Sequence, residues 1–301
     1  MRRQRAVWLG LFLGPAVALM LAFTTLPALA SLLYSLFEWE GFRRAAFAGL
    51  LNFRKLLAFP FQRDFLRALG HNVEVCLVML AVQNGLALLL ALALSREPRG
   101  FRFFRVVTFL PVILSLVIVG FLWQLLLNPL FGPLNRLLRT VGLSAFALPW
   151  LGDTATALPT LMAVNVWRWV GFPTLVFLAG LNAIPEEYHE AARLDGAAAW
   201  RVFRFVTLPL LAPAFTIVTV LTFIGAFEWF ELPYVMAGVN GPPAGATDTL
   251  ALMFYRTAFG SVDSAAASVG LGAAISALLF LIVGTGAAIG ALLLRRRELE
   301  L

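Results

Sequence analysis

Six stretches without a charged side chain, each at least 17 residues long, run through these 301 residues: 7–35, 75–95, 106–135, 169–185, 205–227 and 264–294. A helix needs about 20 apolar residues to cross the hydrocarbon of a bilayer. Inside lipid the backbone must pair its own polar groups, so such stretches fold as helices. Six spans take up about 120 residues and leave roughly 180 for loops and longer helices, which suits a compact polytopic protein without a separate soluble domain. The composition agrees, with 61% hydrophobic and 13% charged residues. The expected fold class is an all-α polytopic membrane protein with six transmembrane helices.

The first stretch follows Arg2, Arg3 and Arg5, as the apolar region of a secretory signal would. Such a region runs about 7 to 15 residues. This one has 29 and contains Pro15 and Pro27, so it reads as a retained first helix. The single cysteine, Cys76, allows no intramolecular disulfide, and His71 and His189 alone leave a His/Cys metal site almost without ligands. A net charge of +7 would suggest nucleic acid as a partner for a soluble protein. Here the basic residues sit mainly between spans, where they fix topology and meet anionic lipid, so the expected partner is membrane lipid and not nucleic acid.

Six spans put both termini on one side. That side carries thirteen basic residues: Arg2, Arg3, Arg5, Arg96, Arg99, Arg102, Arg105, Arg193, Arg201, Arg204, Arg295, Arg296 and Arg297. The other carries nine: Arg43, Arg44, Arg54, Lys55, Arg63, Arg67, Arg136, Arg139 and Arg256, with Arg168 at or inside the fourth span. The positive-inside rule then puts both termini in the cytoplasm. Six of the nine fall within residues 36–69, where Leu50, Phe53, Leu56 and Leu57 recur around Arg54 and Lys55. That spacing predicts a helix lying on the outer membrane surface.

The loop 182–209 carries seven charges and still reads as helix. Ile184-Pro185-Glu186-Glu187 supplies a helix start, with Pro near the first turn and acids at the positive end of the dipole. Gly196 permits a break, and Trp200, Val202, Phe203 and Val206 form a second amphipathic stretch that ends at Leu208-Pro209. Charge and periodicity alone leave open an ordinary connector.

The residues narrow that choice. Glu190-Ala191-Ala192, then Gly196 after three residues, then Val206-Thr207-Leu208-Pro209 after nine, resembles the EAA signature of permease subunits of binding-protein-dependent ABC importers. Gly180-Leu181, Ile184-Pro185, Tyr188 and Asp195-Gly196-Ala197 look like the carbohydrate-uptake branch, similar to maltose, glycerol-phosphate and lactose permeases. Matching positions extend over most of the chain, among them Asn52-Phe53, Leu110-Pro111, Gly132, Asn135, Trp167, Gly171-Phe172 and Gly241-Pro242. One departure is Ala237-Gly238-Val239-Asn240-Gly241-Pro242, where the family often has Thr-Gly-Gly-Pro.

The resemblance implies the type I ABC importer permease fold in a bacterial-type inner membrane. It divides the chain into a tail, first helix and external segment (1–69), a five-helix permease core (70–294) and a cytoplasmic tail (295–301). It implies four kinds of partner: a second homologous permease, two cytoplasmic ATP-binding subunits, an external sugar-binding protein, and the sugar itself. No Gly-rich loop followed by Lys and Ser or Thr occurs, so the chain is no enzyme, and ATP and magnesium belong to the partner ATPase. By the same resemblance the helix 186–194 docks in a cleft of the ATPase. Glu190 is its charged contact, Ala191 and Ala192 allow close approach, Asp195 and Gly196 make the turn, and Leu208-Pro209 leads into the fifth span.

Polar groups inside spans are expensive and usually face a cavity. Two clusters qualify: Asn165, Trp167, Arg168, Trp169, Gly171 and Thr174 in the fourth span, and Glu228, Trp229 and Glu231 at the outer end of the fifth. Aromatic faces with carboxylates and amides would suit a carbohydrate. An interfacial aromatic belt with snorkelling charges is the other reading. The resemblance favours a substrate path through Arg168, Gly171, Thr174, Glu228 and Trp229. Gln83, Asn84 and Gln124 read as hydrogen-bonding glue between helices. Two further functions stay open. One is an ion-gradient-driven secondary transporter, which would need ion ligands inside the spans. The other is the same ABC permease architecture carrying glycerol phosphate or a polyol.

Overall fold

The structure, a computed structural model, describes residues 2–41, 43–261 and 267–296, with the backbone alone for residues 2–10. Arg297, Ser264 at the opening of the sixth stretch, and the side chains of Arg2, Arg3 and Arg5 lie outside the described residues. Three helices are long and apolar enough to cross a bilayer unbroken: Leu11–Tyr34, Phe61–Leu94 and Val269–Arg295. Three more are bent pairs: Phe101–Ile113 with Leu116–Leu126 at 98°, Thr154–Trp169 with Gly171–Asn182 at 43°, and Ala199–Leu210 with Ala212–Phe227 at 65°. Counting each pair once gives six spans, the number expected.

Two elements depart from the sequence reading. The stretch 106–135 is not one straight helix: Leu114 and Ser115, with ψ of 141° and 130°, turn the chain, and the helix ends at Leu126. Pro133–Thr140 is a separate helix beyond it. The outer segment has the expected helix at Leu51–Leu56, but a hairpin precedes it that the spacing did not predict: strand β1 (Phe37–Glu40) pairs antiparallel with β2 (Arg43–Phe47), with Trp39 opposite Arg44. This hairpin is the exception to an otherwise helical fold.

The chain packs as two units, Met1–Phe65 with Met253–Phe280 and Leu66–Leu252 with Leu281–Leu301, which cut across the sequential division at residue 69. In the first unit, buried Asn52 donates to Ser35 O at 2.8 Å and Phe37 O at 2.9 Å, closing the end of the first span. Gly270 sits directly against Phe37 O and the Asn52 amide, where a Cβ would not fit.

The second unit holds an apolar core from three spans. Ala87, Ala91 and Leu94 of the second meet Phe177 and Leu178 of the fourth and Leu211, Ala214 and Val218 of the fifth. Small residues here let helices approach closely, the main source of affinity between helices in lipid. Polar groups fix the register. Asn72 donates to Ala226 O at 2.7 Å at the end of the fifth span and accepts from Leu250 N at 2.9 Å. Asn84 pairs with Thr222 at 3.1 Å, and Gln124 donates to Val235 O and Met236 O at 3.0 and 2.9 Å.

Asn72→Leu strands Ala226 O and Leu250 N without partners at a fully buried position. We expect it to cost about 1–3 kcal/mol and to lower the midpoint of thermal unfolding in detergent, while Cys76→Ala beside it has a smaller effect. Equal midpoints for the two variants would refute this.

Candidate functional site

The charged loop forms a helix over Glu186–Leu194, with Glu186 and Glu187 in its first turn and Arg193 in its last. Pro185 supplies the N-cap position with extended backbone, and the acids complement the positive helix end. At the other end Gly196 takes φ +77°. Ala197 N then bonds Ala192 O, and Gly196 N bonds Arg193 O, both at 3.0 Å. This is the Schellman arrangement, in which the residue after the cap must enter the left-handed region and a small apolar contact closes the end. Ala192 and Ala197 provide that contact.

The helix presents two faces. Glu187, Glu190, Ala191 and Leu194 point to solvent, with Leu194 89% exposed. Glu186, His189 and Arg193 face a cavity under the helix. Leu208 and Pro209 are half-buried in a short helical turn that follows a π-turn over Phe203–Thr207, just before the 65° bend of the fifth span.

A second cavity, of about 670 Å³, opens among the second, third, fourth and fifth spans. A π-turn over Met79–Gln83 widens the second span so that both end residues reach the wall; such turns recur at functional sites. The break after Trp169 brings Arg168, Trp169 and Phe172 to the same wall, with the Trp169 and Phe172 rings stacked at 5.5 Å and the Arg168 guanidinium 5.4 Å from the Trp169 ring. Glu228, Trp229 and Glu231 close the end of the fifth span. Gln83 is fully buried; its Oε1 accepts from Asn165 Nδ2 at 3.3 Å while its Nε2 has no partner. Arg168 Nε and Trp229 Nε1 are also buried without partners. Unpaired buried donors are costly; these three belong to residues that line one cavity, while Trp123 Nε1 and His189 Nδ1, likewise without hydrogen bonds, lie away from it.

Of the residues expected on a substrate path, Arg168, Glu228 and Trp229 line this cavity. Gly171 and Thr174 do not. A Cβ on Gly171 would collide with Thr108 O of the third span, so this glycine serves helix approach, and Thr174 Oγ1 donates to Val170 O at 2.7 Å within its own helix. Sequence reasoning missed Gln83 as a lining residue. Its neighbour Asn84 does act as glue, and only the π-turn, invisible to periodicity, separates the two. It also missed Leu194, whose apolar character blends with the motif around it.

A family described as "Binding-protein-dependent transport system inner membrane component" matches residues 83–297. The chain is 35% identical over 252 residues to the probable ABC transporter permease protein YurN of Bacillus subtilis, covering 83% of this chain and 84% of that one. It is 32% identical over 274 residues to the trehalose/maltose transport system permease protein MalF of Thermococcus litoralis, covering 91% and 88%. Its fold matches a chain in the crystal structure of a bacterial ABC transporter involved in import of the acidic polysaccharide alginate, with a TM-score of 0.80 over 97% of this chain and 96% of that chain at 22% identity.

Gly196→Val should unravel the end of the Glu186–Leu194 helix, since a β-branched residue at this φ costs about 1–3 kcal/mol. We expect faster amide hydrogen exchange at Gly196 and Ala197 positions, read by mass spectrometry on the peptide, with the spans unchanged. Unaltered exchange there would show that the glycine is dispensable to the turn.

Proposed function

We infer that this chain is the substrate-translocating subunit of an ATP-driven importer, because it belongs to the family of binding-protein-dependent transport system inner membrane components. It is a multi-pass inner membrane permease, not an enzyme. The observation that carries the mechanism is that one chain holds both a solvent-facing helix closed by a left-handed glycine and a cavity with three unpaired donors. In this reading two ATP-binding subunits hold ATP and magnesium, and Glu190, Ala191, Ala192, Asp195 and Gly196 seat the helix in one of them. An external binding protein delivers the solute, and a second, homologous permease completes the path. Residues 70–294 supply the core and residues 1–69 an outer accessory. The bias of basic residues supports a cytoplasmic position for the helix and both termini.

The solute we propose is a neutral sugar. Trp169, Phe172 and Trp229 offer ring faces and Gln83 an amide, as suits a polyhydroxyl compound. The lining carries one guanidinium, Arg168, and two carboxylates, Glu228 and Glu231, which disfavour a phosphorylated solute. Under this reading Gly171 and Thr174 act by shaping the fourth span, and Arg168, Glu228 and Trp229 touch the solute.

The test is to reconstitute the chain with its candidate second permease and ATPase in lipid and measure ATP hydrolysis with and without sugar-loaded binding protein. We expect Leu194→Asp and Glu190→Ala to weaken ATPase association by at least about tenfold. Gln83→Leu should leave association intact and cut sugar uptake by a similar factor. Preferred uptake of glycerol phosphate over neutral sugars would favour the same architecture with another solute. Uptake that follows an ion gradient, with no ATPase bound, would replace this reading with a secondary transporter.

A further inference from the structure

We propose that His189 is a positioning residue that ties the coupling helix to the fifth span, so that movement of the ATPase reaches the cavity through its hydrogen bond to Thr207. The proposal rests on the importer reading and concerns how that machine is joined internally. The helix Glu186–Leu194 has no buried residue. Its entry is anchored by buried Ile184, and its exit runs through the left-handed turn at Gly196, where no side chain is buried. Beneath it lies a gap of about 520 Å³, bounded by Ser95 and Arg96 of the second span and by Phe203 and Thr207 of the fifth.

One side chain crosses it. His189 Nε2 lies 3.1 Å from Thr207 Oγ1, and among the described residues this is the side-chain hydrogen bond that joins the helix to the fifth span. Glu186 and Arg193, the other two charged groups on this face, pair with each other at 3.4 Å and are about two-thirds exposed. The ring's other nitrogen, Nδ1, is buried without a hydrogen bond, with Glu186 Oε2 3.8 Å away.

Thr207 is well placed to receive a push. It is buried and is the last residue of the π-turn Phe203–Thr207, directly before Leu208-Pro209 and the 65° bend. A π-turn holds one residue more than the α-helical repeat and can pass that excess along the chain. Beyond the bend the same span contributes Leu221, Thr222 and Gly225 to the wall of the larger cavity. A displacement of His189 thus acts at the joint of the span that lines the solute's path.

The test uses the reconstituted complex with its binding protein and compares wild type, His189→Ala, Thr207→Val, the double variant, and His189→Gln, whose amide can either donate to or accept from Thr207 Oγ1 in place of Nε2. The readout is solute transported per ATP hydrolysed, with ATPase co-purification measured alongside. We expect each single variant to lower transport per ATP about fivefold with the ATPase still bound, the double to be no worse than either single, and His189→Gln to recover most of the loss. Wild-type coupling in the single variants, or losses that multiply in the double, overturns the latch alone. Loss of ATPase binding in His189→Ala that His189→Gln does not rescue also overturns it, by assigning His189 to docking. A wild-type complex that binds no ATPase overturns this proposal together with the importer reading.

Discussion

Backbone groups at helix ends have nowhere to turn in lipid, so the ends of spans and short helices need partners of their own. At several of them the partner is a side-chain amide. Asn52 closes the end of the first span through Ser35 O and Phe37 O, Asn72 closes the fifth through Ala226 O, and Gln124 closes a short helix through Val235 O and Met236 O. Asn135 does the same for the loop after the third, donating to Leu148 O at 2.9 Å and accepting from Trp150 Nε1 at 2.8 Å. Arg or Lys could donate but would carry a charge into a setting where it is expensive, and Ser or Thr tend to return to their own helix, as Thr174 does. The amide's two donors and its neutrality suit the position.

With the other amides engaged in this way, the exception acquires meaning. Gln83 and Asn84 are adjacent, both buried and both in the second span, yet Asn84 exchanges hydrogen bonds with Thr222 while Gln83 keeps a free Nε2 at the cavity. A buried donor without a partner opposes folding, and Gln83 Nε2 shares its cavity with two more, Arg168 Nε and Trp229 Nε1. Gly171 has a packing reason of its own. Its smallness answers to Thr108 O of the third span and needs no ligand to explain it.

Much of this was legible in the sequence, and the limits have physical causes. Span number followed from hydropathy because the bilayer imposes a length. The helix Glu186–Leu194 was legible because its start, its left-handed end and its small residues all belong to one local segment. The hairpin Phe37–Glu40 with Arg43–Phe47 was not, because its two short strands are stabilised by each other and by Lys55 with Glu38 at 2.8 Å, not by any periodic face. The 98° turn after Ile113 was hidden because Leu114 and Ser115 change direction without changing hydropathy. Of the candidate site, Arg168, Glu228 and Trp229 were visible as polar interruptions, whereas Gln83 required the π-turn that re-aims it.

The helix Glu186–Leu194 has only nine residues, a length at which an isolated helix in water is marginal. None of its residues is fully buried, so its order comes from its ends, the acids at the start and Gly196 with Ala192 and Ala197 at the finish, and from the His189 bond to Thr207. A helix already formed before its partner arrives loses less conformational freedom on docking, which leaves more of the contact free energy for the complex. The glycine of the motif and its alanines thus serve one purpose. They keep a short, exposed helix in shape while Leu194 and Glu190 stay available on its outer face.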